Sequence, residues 1–142
     1  PLANRFVHSL RPLSMDVALL GGSVVIDESL VAASPAAIAR QVDEYARGER
    51  RQFDLSVTYP DSFTGDVMRA MAAIPYGETR TYGDIAADLD TAAVAVGQGA
   101  GRNPVPIVVP CHRVVGADSL GGYSAPGGVS LKERLLAHEG AR

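Results

Sequence analysis

Cysteine occurs once in the 142 residues, at position 111, and lysine once, at position 132. A lone thiol excludes a disulfide within the chain and a multi-cysteine zinc site, leaving an inert buried side chain or a chemical one. Positive charge is scarce as well: the formal net charge is -3, so no overall basic balance steers the chain onto phosphates. Long hydrophobic runs are missing. The longest are strand-sized, too short for a bilayer-spanning helix. Pro1-Leu2-Ala3-Asn4-Arg5 does not read as a charged start followed by an apolar signal core. A cytoplasmic, reducing compartment with no membrane partner is the simplest expectation. What the chain does have is 46% apolar residues, enough for one ordinary domain or two small ones sharing an interface.

The apolar spacing gives an order of elements. Val17-Ala18-Leu19-Leu20 and Val24-Val25-Ile26 flank Gly21-Gly22, which predicts a hairpin turning on the two glycines. Ile38, Val42 and Tyr45 recur at helical spacing between Ser34-Pro35 and Gly48. Phe53, Leu55 and Val57 alternate as one face of a strand. Residues 1–59 therefore predict a small sheet-and-helix unit acting as a scaffold. Residues 60–142 form a second unit. Its first helix carries Phe63, Val67, Met71 and Ile74; the second starts at Thr81 with Asp84 in capping-box spacing; the third runs from Ala92 to Gly101. The second and third make a helix-turn-helix outline. A last helix is predicted to start at Ser130 with Glu133 as box partner and to stop at Gly140.

One constellation carries chemistry. Pro110-Cys111-His112-Arg113-Val114 sets a thiol beside an imidazole, after the apolar run Ile107-Val108-Val109. A free thiol has a pKa of about 8.5, so a base must raise its thiolate fraction at neutral pH. Neighbours on extended backbone point apart, so Cys111 and His112 need a turn or a bridging water to communicate. Glu139 falls in the last helical turn, opposing the helix dipole at a cost of a few tenths of a kcal/mol, which fits either a role or a solvated surface position.

The order Ile74-Pro75-Tyr76-Gly77-Glu78-Thr79, Thr81-Tyr82, Arg102-Asn103-Pro104-Val105-Pro106, Pro110-Cys111-His112-Arg113-Val114, Gly122-Tyr123-Ser124 and Leu135-Leu136-Ala137-His138-Glu139-Gly140 closely resembles the O6-alkylguanine-DNA alkyltransferases, the methylated-DNA–protein-cysteine methyltransferases. The likeness covers roughly residues 60 to 140. It implies an α/β (α+β) fold: a small ribonuclease-H-like domain, for which residues 1–59 are short, and then a winged-helix-like alkyltransferase domain. It also implies direct repair of double-stranded DNA. An O6-alkylguanine is flipped out of the duplex and its alkyl group passes once, irreversibly, to Cys111. A monomer with no cofactor and no metal suffices.

By the same resemblance His112 acts on the thiol through water and Glu139 orients it. Tyr82 helps rotate the nucleotide and bonds the purine ring nitrogen, and Asn103 ties the helix-turn-helix to the active-site turn. The backbone amide of Ser124 faces guanine O6. The carbonyls of Cys111 and Val114 accept from the exocyclic amine, while Pro106 and Tyr123 line the pocket. The third helix enters the minor groove, with Ala93, Val94, Gly97 and Arg102 as DNA-binding residues.

Two departures stand out. Val94 occupies the place where the family has an intercalating arginine; valine can wedge between bases but cannot hydrogen-bond the orphaned partner base. The loop around Ala125-Pro126-Gly127-Gly128 is about two residues longer than the usual pattern. Between positions 80 and 113 three arginines meet three aspartates, so a shallow salt dependence of DNA binding is expected. Two rival readings remain. One is a damage sensor that flips the base without transfer, although such relatives replace the nucleophile, usually by tryptophan. The other is a Cys-His-Glu hydrolase that turns over repeatedly. Arg113 reads as a structural ion-pairing residue, and His138 has no assigned role.

Overall fold

Leu20 and Gly21 both take left-handed backbone angles, with φ of 49° and 79°, and close a two-residue hairpin between β1 (Ser14–Leu19) and β2 (Gly22–Asp27). Positive φ at both loop positions matches the twist of the strands. The computed structural model describes residues 13–141; Pro1–Arg5, the basis of the leader argument, lies outside them. The turn sits one residue earlier than Gly21-Gly22. Gly22 serves packing instead, since a Cβ there would come within 3.0 Å of the Leu131 side chain. Val17 pairs with Val24 and Met15 with Ile26, and the buried face holds Val17, Leu19, Val24 and Ile26.

Ser34 caps α1 (Pro35–Ala46) by accepting from the Ala37 amide, and Pro35 supplies a preset φ in the first turn. Ile38, Val42 and Tyr45 are fully buried against the hairpin side, as their spacing implied. Residues 53–57 keep the alternating exposure of a strand but form only one bridge, Val31 to Val57. The physical reason is Gln41. Its side chain donates to the Asp54 carbonyl at 3.2 Å and accepts from the Asp54 amide at 2.9 Å, so a helix side chain takes the bonds a neighbouring strand would have made.

Ser62 caps α2 (Phe63–Ala72), whose buried stripe is Val67, Met68 and Met71, continued by Ile74. Phe63, expected on that stripe, is 39% exposed because the first turn stands clear of the core. The capping box at α3 (Tyr82–Asp88) is present in both directions: the Asp84 amide donates to Thr81 Oγ1 and the Thr81 amide to Asp84 Oδ2. A turn containing left-handed Asp90 leads into α4 (Ala93–Gly101). The two-residue strands β3 (Arg80–Thr81) and β4 (Val114–Val115) pair in parallel, tying the start of α3 to the residues that follow Cys111.

α5 (Gly128–His138) begins two residues before Ser130 and has no capping box; Glu133 makes none. Gly127, at φ 93°, turns the chain into the helix in a backbone region that favours glycine. Leu131, Leu135 and Leu136 are fully buried. The described residues thus form a mixed α/β fold of five helices and two small sheets, and one apolar cluster runs from the hairpin through α1 and α2 to α5.

Candidate active site

Cys111 starts a 3-10 turn, Cys111–Arg113, and is 8% exposed at the base of a cavity of about 600 Å³. Tyr82, Val94, Gly97, Tyr123 and Ser124 share its wall. The turn resolves the geometric problem of adjacent cysteine and histidine: three residues of tight helix, not a strand, carry them. Burial pushes the Cys111 thiol up; the Asn103 side chain, the Lys132 charge and the Tyr123 hydroxyl pull it back in part.

Behind the sulfur lies a carboxylate with five donors. Glu139 accepts from Tyr45 Oη at 2.6 Å, His112 Nε2 at 2.7 Å, Arg113 Nε at 2.9 Å and Nη2 at 3.1 Å, and the Gly77 amide at 3.2 Å. Its side chain has no solvent exposure, which replaces the surface alternative with a buried hub. Burial alone would raise the Glu139 carboxyl, but hydrogen bonds from His112 and Arg113 overcome it and hold the group well below the usual range. A carboxylate surrounded by donors fixes the histidine tautomer: Nε2 carries the proton and donates. His112 Nδ1 then presents a lone pair, is fully buried, and has no protein partner. Burial lowers the His112 pKa, keeping the ring neutral and able to accept a proton.

Arg113 is structural, as its sequence context implied. Besides Glu139 it donates from Nη1 to the Ile74 carbonyl at 2.7 Å and stacks over Tyr76. Asn103 bridges its own turn, donating to the Val109 carbonyl at 2.8 Å and accepting from the Val105 amide at 3.1 Å. Between those anchors Ile107 is held at φ 74°, a strained angle for a β-branched residue. Pro106 is buried there and pairs with Val109.

Tyr82 stands at the cavity wall with its phenol raised by burial, and Tyr123 is raised further by burial and the neighbouring sulfur. Ser124 donates from Oγ to the Gly101 carbonyl at 3.0 Å, fastening the loop to the end of α4. Ala93, Val94 and Gly97 line the mouth, and Val94 is 73% exposed. Arg102 caps the far end of α4, outside the cavity lining.

Sequence reasoning missed Lys132 and Tyr45. Lys132, the lone lysine, is fully buried and donates to the Val114 carbonyl at 2.6 Å, the Gly122 carbonyl at 3.0 Å and Tyr82 Oη at 3.4 Å. Burial brings its pKa down to about 8. The Val114 carbonyl therefore meets any incoming amine with one lone pair already engaged, and the Cys111 carbonyl likewise holds the Val114 amide. Scarcity was the available signal for Lys132. Tyr45 gave none, since its spacing read as core. His138, unassigned from sequence, donates to the Tyr45 carbonyl at 2.7 Å. Among the described residues no three His, Cys, Asp or Glu side chains gather as a metal site.

Residues 62–141 match the family described as 6-O-methylguanine DNA methyltransferase, DNA binding domain. The chain is 46% identical over 109 residues to a methylated-DNA--protein-cysteine methyltransferase of Archaeoglobus fulgidus, covering 72% of this chain and 73% of the relative. Its namesake in Mycolicibacterium paratuberculosis is 47% identical over 108 residues, covering 73% of this chain and 64% of that protein. Among solved structures, Mycobacterium tuberculosis O6-methylguanine methyltransferase superposes with a TM-score of 0.73 at 31% identity, covering 91% and 93% of the two chains. The M. tuberculosis OGT in complex with DNA gives 0.68 at 42% identity, covering 75% and 67%.

Proposed function

The chain belongs to the 6-O-methylguanine DNA methyltransferase family, and from that premise we propose how its own residues carry out direct repair of O6-alkylguanine in double-stranded DNA. The activity is that of a methylated-DNA–protein-cysteine S-methyltransferase, consumed in one turnover. In our reading Cys111 is the acceptor. Its proton passes through a water to His112 Nδ1, and Glu139 takes up the charge that forms on the imidazole. The thiolate attacks the alkyl carbon in line with the C–O6 bond. The S–C bond forms, the C–O6 pair returns to guanine, and Tyr82 donates its hydroxyl proton toward the purine ring. Lys132, beside both groups, favours thiolate and phenolate and shortens the path between them.

The step needs no cofactor: nucleophile, base and donor are all side chains. The base is removed from the stack at a cost of a few kcal/mol. Helix α4 would lie in the minor groove, where Ala93 and Gly97 permit close approach and Val94 wedges into the vacated stack. Ser124, Tyr123 and Pro106 would frame the base, and Arg102 would touch the flanking backbone. We read residues 1–59 as a scaffold unit, residues 60–142 as the transferring unit, and the active species as a monomer. Among the described residues no helix is long and apolar enough to cross a membrane; we place the protein in the cytoplasm, at the nucleoid when bound to DNA.

The observation that carries this reading is the buried Cys111 at the floor of a nucleobase-sized cavity, with the His112–Glu139 pair behind it. Incubation with duplex DNA containing O6-methylguanine, followed by intact-protein mass, tests it. One added methyl per chain is expected, and none in Cys111→Ser; a Cys111→Ser protein that still gains the methyl overturns the assignment.

A further inference from the structure

A second, smaller cavity of about 150 Å³ also reaches the sulfur, from the other side of Tyr123 and Ser124. Its walls include Val25, Pro106, Cys111, Tyr123, Ala125 and Pro126. Five of these come from the active-site turns. Val25 comes from the amino-terminal hairpin, more than eighty residues away in sequence. Val24 and Ile26 are fully buried in the hairpin's own core, so strand alternation turns Val25 to the opposite face, where it is 44% exposed.

That wall is held at both ends. The Asp27 amide, two residues on from Val25, donates to the Pro104 carbonyl at 2.8 Å. At the hairpin tip, Arg134 Nη1 donates to the Leu20 carbonyl at 2.7 Å. The hairpin thus spans from the Asn103–Pro106 turn to α5, and Val25 lies over the gap between them.

We propose that Val25 is a specificity-determining residue: it forms the outer wall of a chamber for the O6 substituent, so that it governs the rate of transfer of bulky apolar alkyl groups relative to methyl. The proposal rests on Cys111 being the acceptor. In an in-line displacement the transferring carbon sits against the sulfur, and anything beyond it must extend sideways into adjoining free space. The large cavity is then filled by the base, and the small one offers free volume that also touches Cys111. A cavity of about 150 Å³ is large enough to take a benzene ring, whereas a methyl group uses little of it. Val25, Pro106, Tyr123, Ala125 and Pro126 give the chamber apolar walls that suit a hydrocarbon substituent, and Asn103 and Ser124 complete its lining with polar groups. Ala125 and Pro126, from the loop that leads into α5, close this side of the pocket.

The test uses the full chain and duplexes carrying O6-methylguanine or O6-benzylguanine, with single-turnover transfer followed by intact-protein mass. Val25→Phe places a ring in the chamber and Val25→Ala opens it. The Phe variant is expected to lower the benzyl-to-methyl rate ratio about tenfold and the Ala variant to raise it, the size of effect a few methylenes have in an apolar pocket. Val25→Leu gives the same sign on a smaller scale and stands in if the Phe variant does not fold. A ratio that moves by less than about threefold in the folded variants overturns the proposal. Failure of the underlying function is separately visible, because the unsubstituted protein would then accept no methyl at all, and the proposal would fall with it.

Discussion

His112 Nε2 lies 2.7 Å from Glu139 Oε2, a contact between two fully buried side chains 27 residues apart, one at the sulfur-bearing turn and one at the end of the last helix. The pair does two jobs at once. It sets which imidazole nitrogen carries the proton, and it links α5, Tyr45 of α1 and the Cys111 turn through one carboxylate.

Acid should weaken the protein in two stages. The folded pKa values of His112 and Glu139 are both lowered, so the unfolded chain takes up protons first as pH falls. Stability contributed by His112 begins to go below about pH 6.5, and that of Glu139 below about pH 4.3. Glu139→Gln leaves Arg113 buried without its charge partner, which is expected to cost about 3 kcal/mol at neutral pH and to flatten the lower stage. Urea unfolding between pH 7 and pH 3 measures both. Parallel curves for the two proteins would contradict the hub.

Lys132→Met tests the buried ammonium. With a pKa of about 8 in place of 10.5, Lys132 carries a desolvation penalty at lower pH that lifts as it loses its proton. The unfolded chain binds more protons through that window, so the unsubstituted protein should gain stability relative to the Met variant from about pH 8 to about pH 10.5. At pH 7.5 the variant should transfer methyl about tenfold more slowly, having lost a charge that favours the thiolate. DNA affinity should hold within about twofold, since Lys132 faces no solvent. Equal slowing of transfer and loss of binding would place Lys132 in folding alone.

Val94→Arg restores a hydrogen-bonding cation at the exposed tip of the cavity mouth. With three arginines balanced by three aspartates from position 80 to 113, the native slope of log affinity against log salt should be shallow. The Arg variant is expected to steepen it by about 1 and to speed transfer at limiting protein. A steep native slope contradicts the near-neutral surface; an unchanged slope in the variant shows position 94 away from DNA.

Much of this arrangement is readable from the chain because it is local. The Thr81–Asp84 box and the Cys111-His112 adjacency act within a few residues, where spacing carries geometry, whereas the role of Asn103 comes from the family resemblance. The α4 boundary follows from small residues ended by Asn103-Pro104. What escaped depends on distant partners. The helix spacing of Tyr45 marks a buried position but says nothing of a carboxylate 94 residues away. Residues 53–57 alternate like a strand, yet Gln41 takes the backbone bonds of Asp54. Ser130 with Glu133 imitates a capping box, while the left-handed Gly127 sets the true start of α5. Lys132 looks like one more solvated cation until Val114 and Gly122 supply carbonyls for it. Val25, an outward strand residue, acquires its place only when the hairpin docks on the active-site turns.

Peptide-level mass spectrometry after one exposure to excess O6-methylguanine duplex reads the central claim most directly. The account requires one S-methylcysteine per chain, at Cys111, formed once and not reversed. Repeated turnover with Cys111 unmodified, or a methyl carried on any other residue, would contradict it.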